Sequence, residues 1–324
     1  MKTEEVHKLA NEGLYLGHRM DGTVLETHIS WIILTDKWAF KIKKPVTLSF
    51  LDYSALASRG HFCKEEILLN SRFSSIYVRC CPITWVEGNW VMDGKRGTVH
   101  DYAVLMRRVP EAYRMDKMLQ DGEGSEVLIE KLAKKVAVFH RKQPAEESPF
   151  DLNQAKELFS DILDPSIRYT ISQRKFLEKA VRWSNAFLEA NSERFSERAR
   201  LGWVRDLHGD LHSGNIFLTD PPVIFDCIEF SKSIRTIDLL YEVAFLCMDL
   251  ERYGKSDWSA LFLKTYLHRI PVLDYERDGP IFNYFKCLRA NVRAKVLGLD
   301  PSDSVEKQEQ QQAYFRLMER YMQQ

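Results

Sequence analysis

The feature that most limits how this 324-residue chain can fold is a change of periodicity near Pro110. Before it, apolar residues alternate or run in short β-type stretches. "SWIIL" and "WAFKI" (within Ile29–Leu34 and Trp38–Ile42) meet around the turn Thr35-Asp36-Lys37. "IYVRCCPITWV", "NWVMDG" and "TVHDYAVLMRRV" follow, punctuated by Glu87-Gly88-Asn89 and Asp93-Gly94-Lys95. One helical stretch, Ser54 to Phe73, interrupts them. After Pro110 the spacing is helical in "SEVLIEKLAKKVAVFHRK", "QRKFLEKAVRWSNAFLEA", Ile237–Leu250 and "VEKQEQQQAYFRLMERYM". The predicted class is α+β: a small antiparallel-sheet lobe with one helix over residues 1–106, then a larger, mainly helical lobe over 107–324.

Charge narrows the function. Lys plus Arg equals Asp plus Glu at 46 each, so no overall field draws the chain to nucleic acid or an acidic membrane. The polar N-terminus lacks the apolar core of a signal peptide, and the longest apolar run carries Asp238, Glu242 and Asp249. Six scattered cysteines show no CxxC pair. A cytoplasmic protein with reduced thiols is the expectation.

One segment breaks the helical half: "RDLHGDLHSGNIFLTDPPVIFDCIEF", Arg205 to Phe230. Its two β-type runs flank Thr219-Asp220-Pro221-Pro222. Pairing around that four-residue turn sets Leu218 against Val223, Phe217 against Ile224, Ile216 against Phe225 and Asn215 against Asp226. Directly opposed residues lie about 5 Å apart at Cβ, so an amide and a carboxylate would meet at the open end. Hard oxygen donors of this kind suit magnesium, completed by substrate phosphates. Asp210 precedes Asn215 by five residues, the spacing of a kinase catalytic loop, where the Asp orients a hydroxyl and the Asn binds metal. Two rivals remain: a structural turn, and a metal hydrolase with His208, Asp210 and His212 as ligands, though no second histidine cluster supports it.

A phosphate-binding lysine is sought on the strand "WAFK". With period two, Ala39, Lys41 and Lys43 share one face, opposite Phe40 and Ile42. Lys41 fits the Ala-x-Lys pattern, with Ala39 leaving room for a flat base; Lys43 and Lys44 read as solvated charges near a strand end. On the following helix, Glu66 falls within the stripe of Phe62, Leu69 and Phe73, so it needs a buried partner, and Lys41 is the natural one. No Gly-x-Gly-x-x-Gly precedes the strand. "ETHIS", with Thr27, His28 and Ser30, would cover the phosphates, and the backbone near Met106–Arg108 would receive the adenine edge; Arg107 and Arg108 read as surface charges.

The pattern His-Gly-Asp-x-His-x-x-Asn, with "THISWIILTDKWAFKIKKPV" and "IFDCIEF", resembles the aminoglycoside phosphotransferase-like small-molecule kinases over Glu26 to Leu250, in particular their uncharacterised bacterial branch. The resemblance implies a bilobal protein-kinase-like fold and a phosphotransferase using ATP and magnesium on a hydroxyl of a small molecule. It places Asp210 as the catalytic residue, Asn215 and Asp226 as metal ligands, and Lys41, Glu66, Thr27 and Met106 with them at the nucleotide. Asp238 would brace the catalytic loop. Cys-Ile-Glu after Asp226, where protein kinases have Phe-Gly, and the absence of an Ala-Pro-Glu element disfavour protein substrates. Tyr284, Asp257 and Asp274 are acceptor-site candidates by location only. A catalytically weak nucleotide-binding regulator is the alternative.

Overall fold

A computed structural model describes residues 1–48, 51–299 and 304–324. The chain divides into two compact units: Met1–Arg114 with Asn215–Thr219 and Val223–Lys232, and Met115–Gly214 with Asp220–Pro222 and Ser233–Gln324.

The first unit holds helix α1 (Thr3–Glu12), strands β1 (Leu14–Tyr15), β2 (His18–Arg19), β3 (Thr23–Glu26), β4 (Ser30–Leu34) and β5 (Trp38–Lys43), and the short pair β6 (Thr47–Leu48) and β7 (Leu51–Asp52). Helix α2 (Leu56–Asn70) and strands β8 (Tyr77–Val86), β9 (Asn89–Met92) and β10 (Thr98–Arg107) follow. Among the described residues the main sheet runs β2-β1-β9-β8-β10-β5-β4-β3, antiparallel except where β1 meets β9. Alternation gives it two apolar faces. Trp31, Ile33, Phe40, Ile42, Ala103 and Leu105 pack on one side with Val6, Leu9 and Ala10 of α1. Ala39, Val104 and Met106 pack on the other with Cys63 of α2. Helix α1 is an addition to the one helix expected here. Its apolar residues at i, i+3 and i+4 are few, but they suffice to cover a sheet face.

The second unit is helical: α3 (Met115–Gln120), α4 (Glu126–Lys142), α5 (Leu152–Ser160) and α6 (Ile171–Arg200), then strand β11 (Val204–Asp206). Strands β12 (Ile216–Phe217) and β13 (Val223–Ile224) form the hairpin that belongs to the first unit. Helix α7 (Lys232–Arg235), strand β14 (Thr236–Asp238) and helices α8 (Leu239–Arg252), α9 (Ser256–Leu267), α10 (Tyr275–Leu299) and α11 (Val305–Met322) complete the chain. Helix α8 is the centre of this unit and packs on α9, α10 and α11. It is buried along almost its whole length, which explains its continuous apolar sequence. No helix among the described residues is long and apolar enough to cross a membrane.

Candidate active site

In the first unit the candidate site is a network of buried ions on the α2 side of the sheet. Lys41 Nζ donates to Glu66 Oε1 at 3.0 Å and to Asp226 Oδ1. Lys43 donates to Glu66 Oε2 at 2.7 Å and to Glu229, which also accepts from the Tyr53 hydroxyl. The two oxygens of Glu66 therefore serve different lysines. Period two on β5 aims both lysines at α2, and helical spacing turns Glu66 inward to meet them. Burial alone would lower the lysine pKa values, but the surrounding carboxylates hold both above their ordinary range. The carboxyl of Glu229, which burial would raise, is lowered by Lys43 and Lys41 to about 2. Lys41, Lys43 and Glu229 therefore stay charged at neutral pH.

Lys43 departs from its sequence assignment: it is fully buried instead of solvated, because Tyr53 and Glu229 close over the strand end. Removing its charge would leave buried Glu229 with Tyr53 alone. Lys43→Met is expected to destabilise the fold by about 3–5 kcal/mol, and the double variant Lys43→Met/Glu229→Met should recover most of that loss in urea unfolding.

The hairpin also differs from expectation. Ile216 pairs with Ile224 and Phe217 with Val223, and the Phe225 N–H donates to the Asn215 carbonyl at 3.0 Å. The register is thus one residue removed from the predicted one, with Asn215 opposite Phe225 instead of Asp226. The cause is at the turn. Leu218 leaves the ladder and donates its N–H to the Tyr113 carbonyl at 2.7 Å, so five residues, not four, connect the strands. A slip of one reverses faces, and Phe217 stacks on Phe225 with ring centroids 4.6 Å apart.

Asp226 is positioned by other means. Its backbone adopts a left-handed φ of 63°. Its N–H donates to the Tyr77 hydroxyl at 2.9 Å, and the Cys227 N–H donates to Asn70 Oδ1 at 3.1 Å. Asn70 lies one turn beyond Glu66 on α2, so a single helix fixes both the lysine partner and the chain carrying the acid. The Asp226 side chain is 43% exposed, which leaves its carboxylate accessible. Asn215 is buried at the hairpin's base. Among the described residues no three His, Cys, Asp or Glu side chains gather as a metal-ligand set. One accessible carboxylate plus an amide oxygen fits magnesium bound jointly with phosphates better than a transition metal held by protein alone. The histidines of the hydrolase reading are spent locally: Nδ1 of His208 accepts from Asp210 N–H at 3.2 Å and Nδ1 of His212 from Gly214 N–H at 3.0 Å.

"ETHIS" forms the β3–β4 hairpin turn. The Thr27 hydroxyl accepts from Ser30 N–H at 3.0 Å and donates to its carbonyl at 3.1 Å, locking the turn. Met106 lies opposite Ala39 in the sheet, and its side chain joins the same apolar cluster as Ala39 and Phe225. The amides of Arg107 and Arg108 are already bonded to the carbonyls of Ile76 and Lys37, at 2.8 and 2.9 Å. Neither amide is available to an adenine edge.

In the second unit the loop around Asp210 hangs from α8. Glu242, fully buried, accepts from the N–H groups of His208 (3.0 Å) and Gly209 (2.7 Å) and pairs with His140 Nε2 at 3.0 Å. Asp249 accepts from Ser213 N–H at 2.9 Å. Two carboxylates seven residues apart, on one helix face, thus hold the loop's two ends. Asp238, expected in this role, instead caps α8 through the Leu240 N–H (2.7 Å) and forms a forked pair with Arg198. Its place at the helix start directs it to the cap. Glu242→Ala is expected to cost about 3–5 kcal/mol, because three buried donors lose their acceptor. Loss of cooperative unfolding near the wild-type midpoint would show it.

The Asp210 side chain is 37% exposed, with His212 Nε2 3.4 Å from its Oδ2. Burial would raise its carboxyl, but His212, Arg293 and His208 hold it well below the ordinary aspartate range. Of the acceptor-side candidates, Tyr284 is buried, bonded to Ser184 at 3.0 Å and stacked on Phe187; it is core, not surface. Asp257 and Asp274 are exposed.

Comparison with known proteins places this arrangement. Uncharacterized proteins of Mycobacterium tuberculosis (strain ATCC 25618 / H37Rv) and Mycobacterium bovis are each 27% identical over 280 residues, covering 84% of this chain and 54% of theirs. The chain spans about half the length of these curated relatives. A choline/ethanolamine kinase family protein from Mesorhizobium loti shares the fold at a TM-score of 0.56 and 13% identity, over 100% of this chain and 96% of that one. A microcompartment-associated aminopropanol kinase does so at 0.52 and 14%, over 99% and 97%. Residues 91–281, which include the loop at Asp210 and the hairpin to Asp226, match the phosphotransferase enzyme family (APH). With more than half of its length inside that match, the chain belongs to the phosphotransferase enzyme family.

Proposed function

We propose that this phosphotransferase moves the γ-phosphate of ATP, in the presence of magnesium, to a hydroxyl group of a small molecule. The observation that carries the reading is the grip of Lys41 on both Glu66 and Asp226. A lysine ammonium has three donors, and two are committed here. The third is free for a phosphate oxygen. Glu66 keeps its second oxygen on Lys43, so Lys41 can turn to a nucleotide without stranding a buried carboxylate.

In this reading residues 1–106 bind the nucleotide and 107–324 carry catalysis and the acceptor. Ala39, Met106 and Phe225 offer an apolar surface for the base, and the turn at Thr27 covers the phosphates. Asn215 and Asp226 hold magnesium, which when bound neutralises phosphate charge. Asp210 accepts a hydrogen bond from the acceptor hydroxyl and aligns it for in-line attack. Its lowered pKa makes it a weak base, so alignment is its chief contribution.

The test is nucleotide binding and hydrolysis with and without magnesium, followed by a transfer screen over small hydroxyl compounds. Magnesium-dependent turnover with at least one acceptor supports the reading. Nucleotide binding with no turnover across the panel would favour the regulatory alternative.

A further inference from the structure

Four arginines are buried among the described residues: Arg59, Arg198, Arg235 and Arg289. Three are neutralised by a carboxylate, Arg59 by Asp101 at 2.8 Å, Arg198 by Asp238 at 2.7 Å and Arg235 by Asp206 at 3.0 Å. Arg289 of α10 is the exception. Its guanidinium lies flat against Tyr241, 3.7 Å from the ring centroid, and 4.6 Å from that of Phe245. Its Nε makes one long hydrogen bond, 3.5 Å, to the Tyr241 carbonyl, and its Nη2 has no partner. An arginine 5% exposed with an unpartnered Nη2 is costly unless something else completes it.

Its position suggests what does. The ring of Phe245 also faces His212, with centroids 5.2 Å apart, and His212 Nε2 is 3.4 Å from Asp210. Arg293 follows Arg289 by one helical turn and so shares its face. The charges of Arg293 and Asp210 act on each other, and Arg293 bonds to the Tyr314 hydroxyl. Nearby acids are committed elsewhere: Asp249 to Ser213 and Arg252, Glu251 to Lys286, Arg320 and Tyr321. Of these two guanidinium groups, that of Arg289 thus lacks a carboxylate partner, while the charge of Arg293 is met by Asp210 and Asp249. The uncompensated charge of Arg289 disfavours an ammonium-bearing alcohol and favours a planar or tetrahedral oxyanion.

We propose that the phosphate acceptor is an acidic alcohol, whose carboxylate or phosphate ester is held by Arg289 and Arg293 while its hydroxyl meets Asp210. This rests on the reading of Asp210 as the acceptor-aligning residue. The experiment is calorimetric titration of the full chain, saturated with magnesium and a non-hydrolysable ATP analogue. The probes are D-glycerate, glycerol 3-phosphate, glycerol and ethanolamine. At least one anion should bind more than tenfold tighter than glycerol and ethanolamine, and the two anionic arms separate a carboxylate site from a phosphate site. Arg289→Met and Arg293→Met should each weaken that anion at least tenfold, with Arg289→Lys in between. Circular dichroism confirms that each variant folds; Arg293 is only half-buried, so R293M keeps the test decisive should R289M unfold. Failure of both anions to bind, preference for ethanolamine, or anion binding indifferent to R293M would overturn the proposal. Anion binding by a protein that binds no nucleotide would instead sink the phosphotransferase reading and leave the arginine site standing.

Discussion

Asp226→Asn is expected to lower magnesium-dependent turnover at least 10³-fold, about 4 kcal/mol of transition-state stabilisation, while the protein stays folded. The substitution is chosen for its backbone. Asp226 holds a φ of 63°, which Asn tolerates and Ala resists. The amide also keeps an oxygen for the Lys41 ammonium, so the first-unit network survives without its third carboxylate charge. What disappears is the anionic oxygen that a divalent cation needs. The magnesium concentration for half-maximal rate should rise in parallel. Asp226→Ala would add backbone strain and mix a stability loss into the measurement. Ordinary magnesium-dependent turnover by D226N would contradict the assignment.

Asp210→Asn tests the other half of the chemistry. The expected fall in kcat is about 10³-fold, with the KM for ATP changed by no more than about threefold, since this residue serves the acceptor. Because the Asp210 carboxyl is held far below its ordinary pKa by His212, Arg293 and His208, it is ionised throughout the neutral range. The wild-type rate should therefore show no acidic limb from this group between about pH 5 and 8. A rate that falls with a midpoint near pH 6 and loses that midpoint in D210N would show instead that Asp210 titrates as a base in the working enzyme.

Much of this site was legible in the chain because it rests on two short periods. Period two on "WAFKIK" put Ala39, Lys41 and Lys43 on one face, and helical spacing put Glu66 inward; the structure joins Lys41 to Glu66. The spacing of Asp210 and Asn215 needed no geometry at all. Failures came where a third element decides the outcome. Lys43 looked solvated because nothing local reveals that Tyr53 and Glu229 cover it. The hairpin register slipped because Leu218 bonds to Tyr113, a hundred residues upstream, and lengthens the turn. The loop brace was assigned to Asp238 by position. The better signal was present in the apolar run: Glu242 and Asp249 are separated by seven residues, two helical turns, and polar residues repeating on a buried face must have partners. Arg289 and Arg293 lie four residues, one helical turn, apart on α10, but only the burial of one without a carboxylate gives the pair meaning.

Tethering both ends of the Asp210 loop to a single rod has a mechanical result. Glu242 and Asp249 cannot move independently, because the helix between them is packed on every side. Any shift of α8 therefore carries the loop as a unit, preserving its internal shape while changing where it points. Substitutions at deeply interior α8 positions such as Ala244 or Cys247, far from any ligand in character, would in this way alter aim before they alter form.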